Sequence, residues 1–345
     1  KFDTLASRIL GGDPVDMFPY EWDAVPNGVT KEQYQPLDDY LDLSDDIWSD
    51  MSDVIEMFKY KDKHYVVPYC LSDPLLITYN RSLCEENGLD DPYELYKKDK
   101  WDWDAFMDMM KTFVSNAKDG ETRYGINGWF GQAMVQSTGE TFVKYDGSKF
   151  SNNISNPAIE EAEGVMEEIM SLGLYDPTWY GYLPDDGSTL FFGMADWALG
   201  ASNVKADPNP DYEDDGFVEE NDLMIVPFPK QPGSDEYYLN CNFGAKMLVK
   251  NSDKGDAVAA YIKCERLAAM IDEYKDAAKE KAIIPEVNAQ GKLKSYVTEE
   301  QYDALQDYKD PKNITPVFDF GYGMGSRMYG DGEYTYETRG VMNNL

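Results

Sequence analysis

Histidine occurs once in this 345-residue chain, at His64, and cysteine four times, at Cys70, Cys84, Cys241 and Cys264. A single imidazole excludes most histidine-ligated metal sites and argues against a serine–histidine–aspartate triad. No two cysteines form a C-x-x-C pair, and four scattered ones are too few for a disulfide scaffold. Buried free thiols are the expectation, with one or two bridges left open. Basic side chains are scarce too: 31 Lys and Arg stand against 65 Asp and Glu, a formal net charge of −34. A surface of that sign repels nucleic acid, anionic membranes and polyanions, and it keeps an exposed protein soluble. No apolar run approaches the roughly 18 residues that a membrane span requires.

Phosphate-cradling loops are missing as well. There is no G-x-x-x-x-G-K-[ST] and no G-x-G-x-x-G after a strand; Gly321-Tyr322-Gly323-Met324-Gly325 has the wrong spacing and reads as a loop-to-helix junction. Asp207-x-Asn209-x-Asp211 has the ligand spacing of an EF-hand, but Tyr212 stands where that loop needs glycine. With 65 acids, carboxylate pairs suited to glycoside hydrolysis arise by chance and carry little meaning. No metal, cofactor or catalytic residue is expected.

What is present is a globular composition, 42% hydrophobic and 28% charged, long enough for two domains or one large one. Phe2, Leu5, Ala6 and Ile9 recur at helical spacing until Gly11–Gly12. That pattern is already running at Lys1 with no capping residue, so upstream residues, any signal peptide among them, are expected to precede it. His64–Tyr69, Leu75–Tyr79, Leu223–Phe228 and Tyr237–Val249 read as strands. Asp102 caps a helix with Trp103, Phe106, Met107, Met110 and Phe113 on one face. Asn156-Pro157 opens another that buries Ile159, Ala162, Val165, Met166, Ile169 and Met170, a helix spans about 253–267, and Thr298-x-x-Gln301 is a capping box. Such alternation predicts α/β sheets covered by helices.

Several segments, in order, resemble the extracellular solute-binding proteins of ABC importers, the family of maltose- and oligosaccharide-binding proteins. They are Gly11-Gly12-Asp13-Pro14-Val15-Asp16-Met17-Phe18, Pro36-Leu37-Asp38-Asp39-Tyr40, Lys63–Tyr69 with Ile77-Thr78-Tyr79-Asn80-Arg81, and Asn87-Gly88-Leu89 with Trp101-Asp102-Trp103-Asp104-Ala105-Phe106. Leu190-Phe191-Phe192-Gly193-Met194-Ala195, Val226-Pro227-Phe228-Pro229 and Ala257–Ile262 complete the series. The main departure is at the start, where the family's first strand and most of a helix are missing.

The resemblance implies a two-lobed periplasmic-binding-protein-like fold of type II, each lobe a mixed sheet covered by helices, with ligand in the cleft between them. It places crossovers near Leu71–Asp73, Leu223–Val226 and Pro285–Leu293. Lobe one would be 1–71 with 224–288, and lobe two 72–223 with 289–345. The function implied is capture of a sugar or oligosaccharide by hinge closure, with a membrane ABC permease as partner and a monomeric chain. The site would lie outside the cytoplasmic membrane, in a periplasm or on a lipid anchor absent from this chain. The stretch at 91–97 is similar to Clostridia-type Gram-positive relatives and favours the anchor. A peptide, polyamine or polyol on the same fold, an acid-pair carbohydrate enzyme, and an adhesion or sensor protein are the alternatives.

Aromatic residues make up 14% of the chain, and flat sugar faces stack on aromatic rings while hydroxyls take directed hydrogen bonds. By position in the resemblance, ligand contacts are expected from Tyr20, Trp22 and Asp23 after the first turn, and from Tyr69, Ser72 and Asp73 at the first crossover. Trp129 and Phe130, Ser202 and Asn203 within Gly200–Asn203, and Tyr322 complete the aligned candidates. Asn240 and Asn242 join them as amides in an apolar strand beside the hinge. Trp197 is expected in the core, and Trp179 is left open.

Overall fold

The computed structural model describes residues 2–13, 15–22, 24–206 and 222–321. Helix α1 (Phe2–Leu10) buries Leu5 and ends at Gly12, whose φ of +74° a side chain would resist. Strands β1 (Met17–Pro19) and β2 (Tyr34–Gln35), helix α2 (Ser52–Met57) and strand β3 (Cys70–Ser72) follow. The expected strand at His64–Tyr69 is displaced to β3. Pro68 has no N–H for a ladder, and pairing begins only where the Tyr69 N–H donates to Gly244 O.

Beyond β3 come β4 (Leu75–Asn80), α3 (Arg81–Glu86), α4 (Pro92–Lys97) and α5 (Trp103–Ser115). Asp102 caps α5 by accepting the Ala105 N–H, and the expected stripe from Trp103 to Phe113 is buried. Strand β5 (Tyr124–Gly128), helix α6 (Gly131–Gln136), the hairpin β6 (Val143–Tyr145) and β7 (Phe150–Asn152), and helix α7 (Pro157–Ser171) continue the chain. On α7, Ile159, Ala162, Met166 and Ile169 are buried, whereas Val165 and Met170 are only half-buried at the edge of the stripe. Then follow β8 (Thr189–Ala195), α8 (Leu199–Ala206) and β9 (Leu223–Pro227).

The strand expected over Tyr237–Val249 is three: β10 (Tyr238–Asn240), β11 (Asn242–Gly244) and β12 (Lys246–Val249). Each pairs elsewhere. β12 lies between β1 and β2 in an antiparallel sheet, β11 pairs with β3, and β10 pairs in parallel with a strand at Thr315–Val317. Helices α9 (Gly255–Met270) and α10 (Asp272–Ala282), strands β13 (Glu286–Val287) and β14 (Leu293–Ser295), helix α11 (Glu299–Tyr308) and that last strand, β15 (Thr315–Val317), complete the described chain. The capping box of Thr298 and Gln301 is formed at α11.

Two layered units result. One is the sheet β1-β12-β2 with α9 packed on β12 and α10 on α9. The other is the four-stranded sheet β5-β8-β4-β9, whose β8 and β9 are buried at every position because helices cover both faces. β9 pairs with β4 from Asn80↔Leu223 to Leu76↔Pro227. The expected crossover at 223–226 thus lies within β9, and pairing with β3 and with β2 follows at β11 and β12. The antiparallel ribbon β3–β11 ties the units together.

Candidate ligand-binding cleft

Tyr20 directly follows β1, and its N–H donates to Ala245 O at 3.0 Å, which sets its ring edge-on to Phe58 and Phe243. Tyr20, Trp22 and Asn242 line one crevice together with Gln136, Cys241, Phe243, Val317, Phe318 and Asp319. Gln136 arrives from α6 in the second unit, so both units face this space. It is nearly shut, with an accessible volume of about 10 Å³, the room of one water molecule. Rings hold the units together around it: Phe58 stacks on Phe318 at 4.1 Å, and Tyr60 lies 6.0 Å from Phe150 of the β6–β7 hairpin. The Lys61 N–H donates to the Tyr145 hydroxyl of the same hairpin.

A second aromatic group stands at the end of the four-stranded sheet where β4 begins and β5 and β8 finish. Trp129 leaves β5 so close to its neighbour that a Cβ on Gly193 would meet Trp129 O at 2.4 Å. Trp179 stacks on Trp129 at 5.5 Å, and Trp197 meets it edge-on at 6.4 Å. The loop carrying Trp179 is pinned by Asn127, whose amide donates to the carbonyls of Asp176 and Thr178. Trp179 is 50% exposed and Trp197 58% exposed, so this platform presents its rings to solvent.

Several expected contacts stand differently. Trp197 is not core: in the turn after β8, Ala198 points inward and Trp197 outward. Phe130 is fully buried against Tyr175, because it enters α6 on the face that packs into the core. Ser202 and Asn203 are also fully buried and already bonded. Ser202 accepts the Leu183 N–H and donates to Ala198 O, while Asn203 donates to Tyr296 O and exchanges bonds with the Gln301 amide. Asn240 is buried and donates to Gln136, so it stands behind a lining residue rather than at the surface.

Tyr69 turns towards α9, where burial pushes its hydroxyl up to about 12. Ser72 pairs with Asn242 in the ribbon, and Asp73 follows, exposed, with φ +44°. Asp23 and Tyr322 lie outside the described residues. The four cysteines are free, although only Cys84 is buried.

Gln136 and Asp319 were not among the expected contacts. Nothing in the run around Gln136 marks it, but Asp319 is a lone carboxylate in Val317-Phe318-Asp319-Phe320, and that was a usable signal. Asp319 is buried, with the N–H groups of Phe142 and Gly321 donating to its two oxygens. Burial raises its pKa above the usual 3.8 in spite of those donors. A raised value means that the folded protein binds this proton more tightly than the unfolded one, so stability falls as pH rises from 3.8 through the raised value. The stability difference between the parent protein and Asp319→Asn, read by urea denaturation, should shift against the parent as pH rises over that range, whatever slope the other carboxylates give both proteins.

Two α/β units joined by a paired-strand hinge, with aromatic rings facing a shared crevice, are the architecture of a two-lobed periplasmic-type binding protein. The pattern of the bacterial extracellular solute-binding protein family matches residues 2–264, and the chain belongs to that family. No curated protein matches it. Among solved structures, the sugar-binding protein MalE from Xanthomonas citri is 13% identical with a TM-score of 0.68, over 99% of this chain and 85% of that one. The cyclic alpha-maltosyl-1,6-maltose binding protein from Arthrobacter globiformis is 16% identical with a TM-score of 0.65, over 99% and 83%. The galacto-N-biose/lacto-N-biose I-binding protein of the ABC transporter from Bifidobacterium longum is 14% identical with a TM-score of 0.62, over 95% and 78%. At these identities the likeness is one of fold.

Proposed function

We propose that this protein captures a sugar or oligosaccharide between its two lobes and delivers it to an ABC permease, without transforming it. The observation that carries this reading is the platform of Trp129, Trp179 and Trp197 at the hinge end of the second unit's sheet, a half-buried indole flanked by two that are turned to solvent. Exposed indoles are costly to keep in water unless something apolar covers them, and the C–H face of a pyranose does so while its hydroxyls stay hydrogen-bonded. Trp22, 38% exposed, offers a ring from the first unit beside the amides of Gln136 and Asn242. The structural neighbours named for binding maltose-type and lacto-N-biose-type sugars support the same class.

In this reading lobe one comprises residues 2–71 with β12, α9 and α10, lobe two comprises β4 to β9 with β14 and α11, and β11 belongs to the ribbon between them. Ligand favours the closed arrangement because only there do both lobes touch it. The chain acts as a monomer outside the cytoplasmic membrane, held there by a lipid anchor. Among the described residues no helix is long and apolar enough to span a bilayer.

The test is a thermal-shift and calorimetric screen over mono- and oligosaccharides, amino acids, peptides and polyamines. A ligand at 100 times its Kd adds about 2.7 kcal/mol and raises Tm by a few degrees. A response to one sugar class that is lost in Trp179→Ala supports the reading, and a response to amines or peptides that is lost in the same variant, with none to sugars, overturns it.

A further inference from the structure

A larger cavity, of about 490 Å³, lies on the opposite edge of the hinge ribbon from the crevice. β11 lines the crevice, whereas Cys70 and Leu71 of its partner β3 form the floor of the cavity. One wall comes from α9 and α10, the other from α11 and the turn after it, so the space spans both units from behind.

Its chemistry differs from the rest of the surface. The whole chain carries 31 bases to 65 acids, but this cavity is lined by Arg266, Lys275, Lys279 and Lys309 against Asp50, Asp276, Asp303 and Asp310. Some of these charges are already used: Arg266 pairs with Asp50, Lys279 with Asp303 and Glu299, and Lys309 with Asp196. Lys275 forms only a long, exposed ion pair with Asp272, at 3.7 Å; neither Asp276 nor Asp310 makes an ion pair among the described residues, although Asp310 accepts the Lys312 N–H. One weakly paired cation and two carboxylates with no cation partner thus face a space whose other walls are Ala268, Ala269, Ala278, Tyr274 and Tyr302.

We propose that this rear cavity is a second ligand site, for a small zwitterion with an apolar side chain: an amino acid or dipeptide. Its ammonium meets Asp276 and Asp310, its carboxylate meets Lys275, and the alanine and tyrosine walls take the side chain. A lone anion would face the carboxylates in a chain of net charge −34, and a lone cation would face the lysines. A molecule carrying both signs satisfies both sets. The volume is within the range of small-molecule sites. The inference is independent of the sugar reading, since it uses none of the residues that line the crevice or form the tryptophan platform.

The probe is the dipeptide Ala-Phe, with its N-acetylated, C-amidated form as control, titrated by calorimetry into the full chain. Ala278 and Asp276 are exposed on α10, so Ala278→Trp, which fills the cavity, and Asp276→Asn leave the core intact. Free Ala-Phe should bind at millimolar concentration or better and the capped form at least about tenfold more weakly. Each of the two variants should weaken free Ala-Phe by about tenfold or more, and Trp179→Ala should leave its binding unchanged. The proposal fails if wild type shows no binding, if the capped dipeptide binds equally well, or if binding survives Ala278→Trp but is lost in Trp179→Ala.

Discussion

Trp179→Ala is expected to weaken sugar binding about thirty- to a hundredfold while leaving the fold unchanged. An aromatic anchor at a binding site is worth about 2–3 kcal/mol, and each 1.4 kcal/mol is tenfold in Kd. Half of this ring already faces water, and its partner Trp129 keeps its place through the backbone contact with Gly193, so the folded state has little to lose. Calorimetry with the best sugar of the screen, together with a melting curve, separates the two effects. A loss under threefold would remove Trp179 from the ligand surface and with it the main support for stacking.

Asn203→Ala should do the reverse. Its amide and that of Gln301 satisfy one another, and Asn203 also donates to Tyr296 O while Gln301 donates to Leu223 O. Truncation leaves one N–H of the fully buried Gln301 amide and the Tyr296 carbonyl short of a partner, while Gln301 Oε1 keeps the Thr298 N–H, at about 1–3 kcal/mol for each group left unmet. A total of about 3 kcal/mol, read from urea denaturation, is the expected cost. Sugar affinity of the remaining folded protein should stay within about twofold. A large loss of affinity without loss of stability would return Asn203 to the ligand surface.

These two residues also show how far the sequence reaches. Helices were legible where a cap and a stripe coincide, as at Asp102 with Trp103 to Phe113, since both signals are local. Strand pairing was not, because partners are chosen across the chain. The run from Tyr237 to Val249 looks continuous, yet it is divided among three partners. Of the expected contacts, Tyr20, Trp22 and Asn242 line the crevice and Trp129 lies on the aromatic platform. That Phe130, Ser202 and Asn203 are buried, and Trp197 exposed rather than in the core, has one cause. A family segment tells which stretch nears the cleft, but the phase of a single turn decides which side chain points outward, and neighbouring residues point opposite ways.

The tryptophans divide cleanly between two environments. Of seven, Trp48, Trp101 and Trp103 are sealed in the core, while Trp22, Trp129, Trp179 and Trp197 stand at the crevice or on the platform. The protein therefore carries its own optical label. Emission from the sealed indoles is a blue background, and a red-edge component or quenching by iodide reports on the four that stand outside the core.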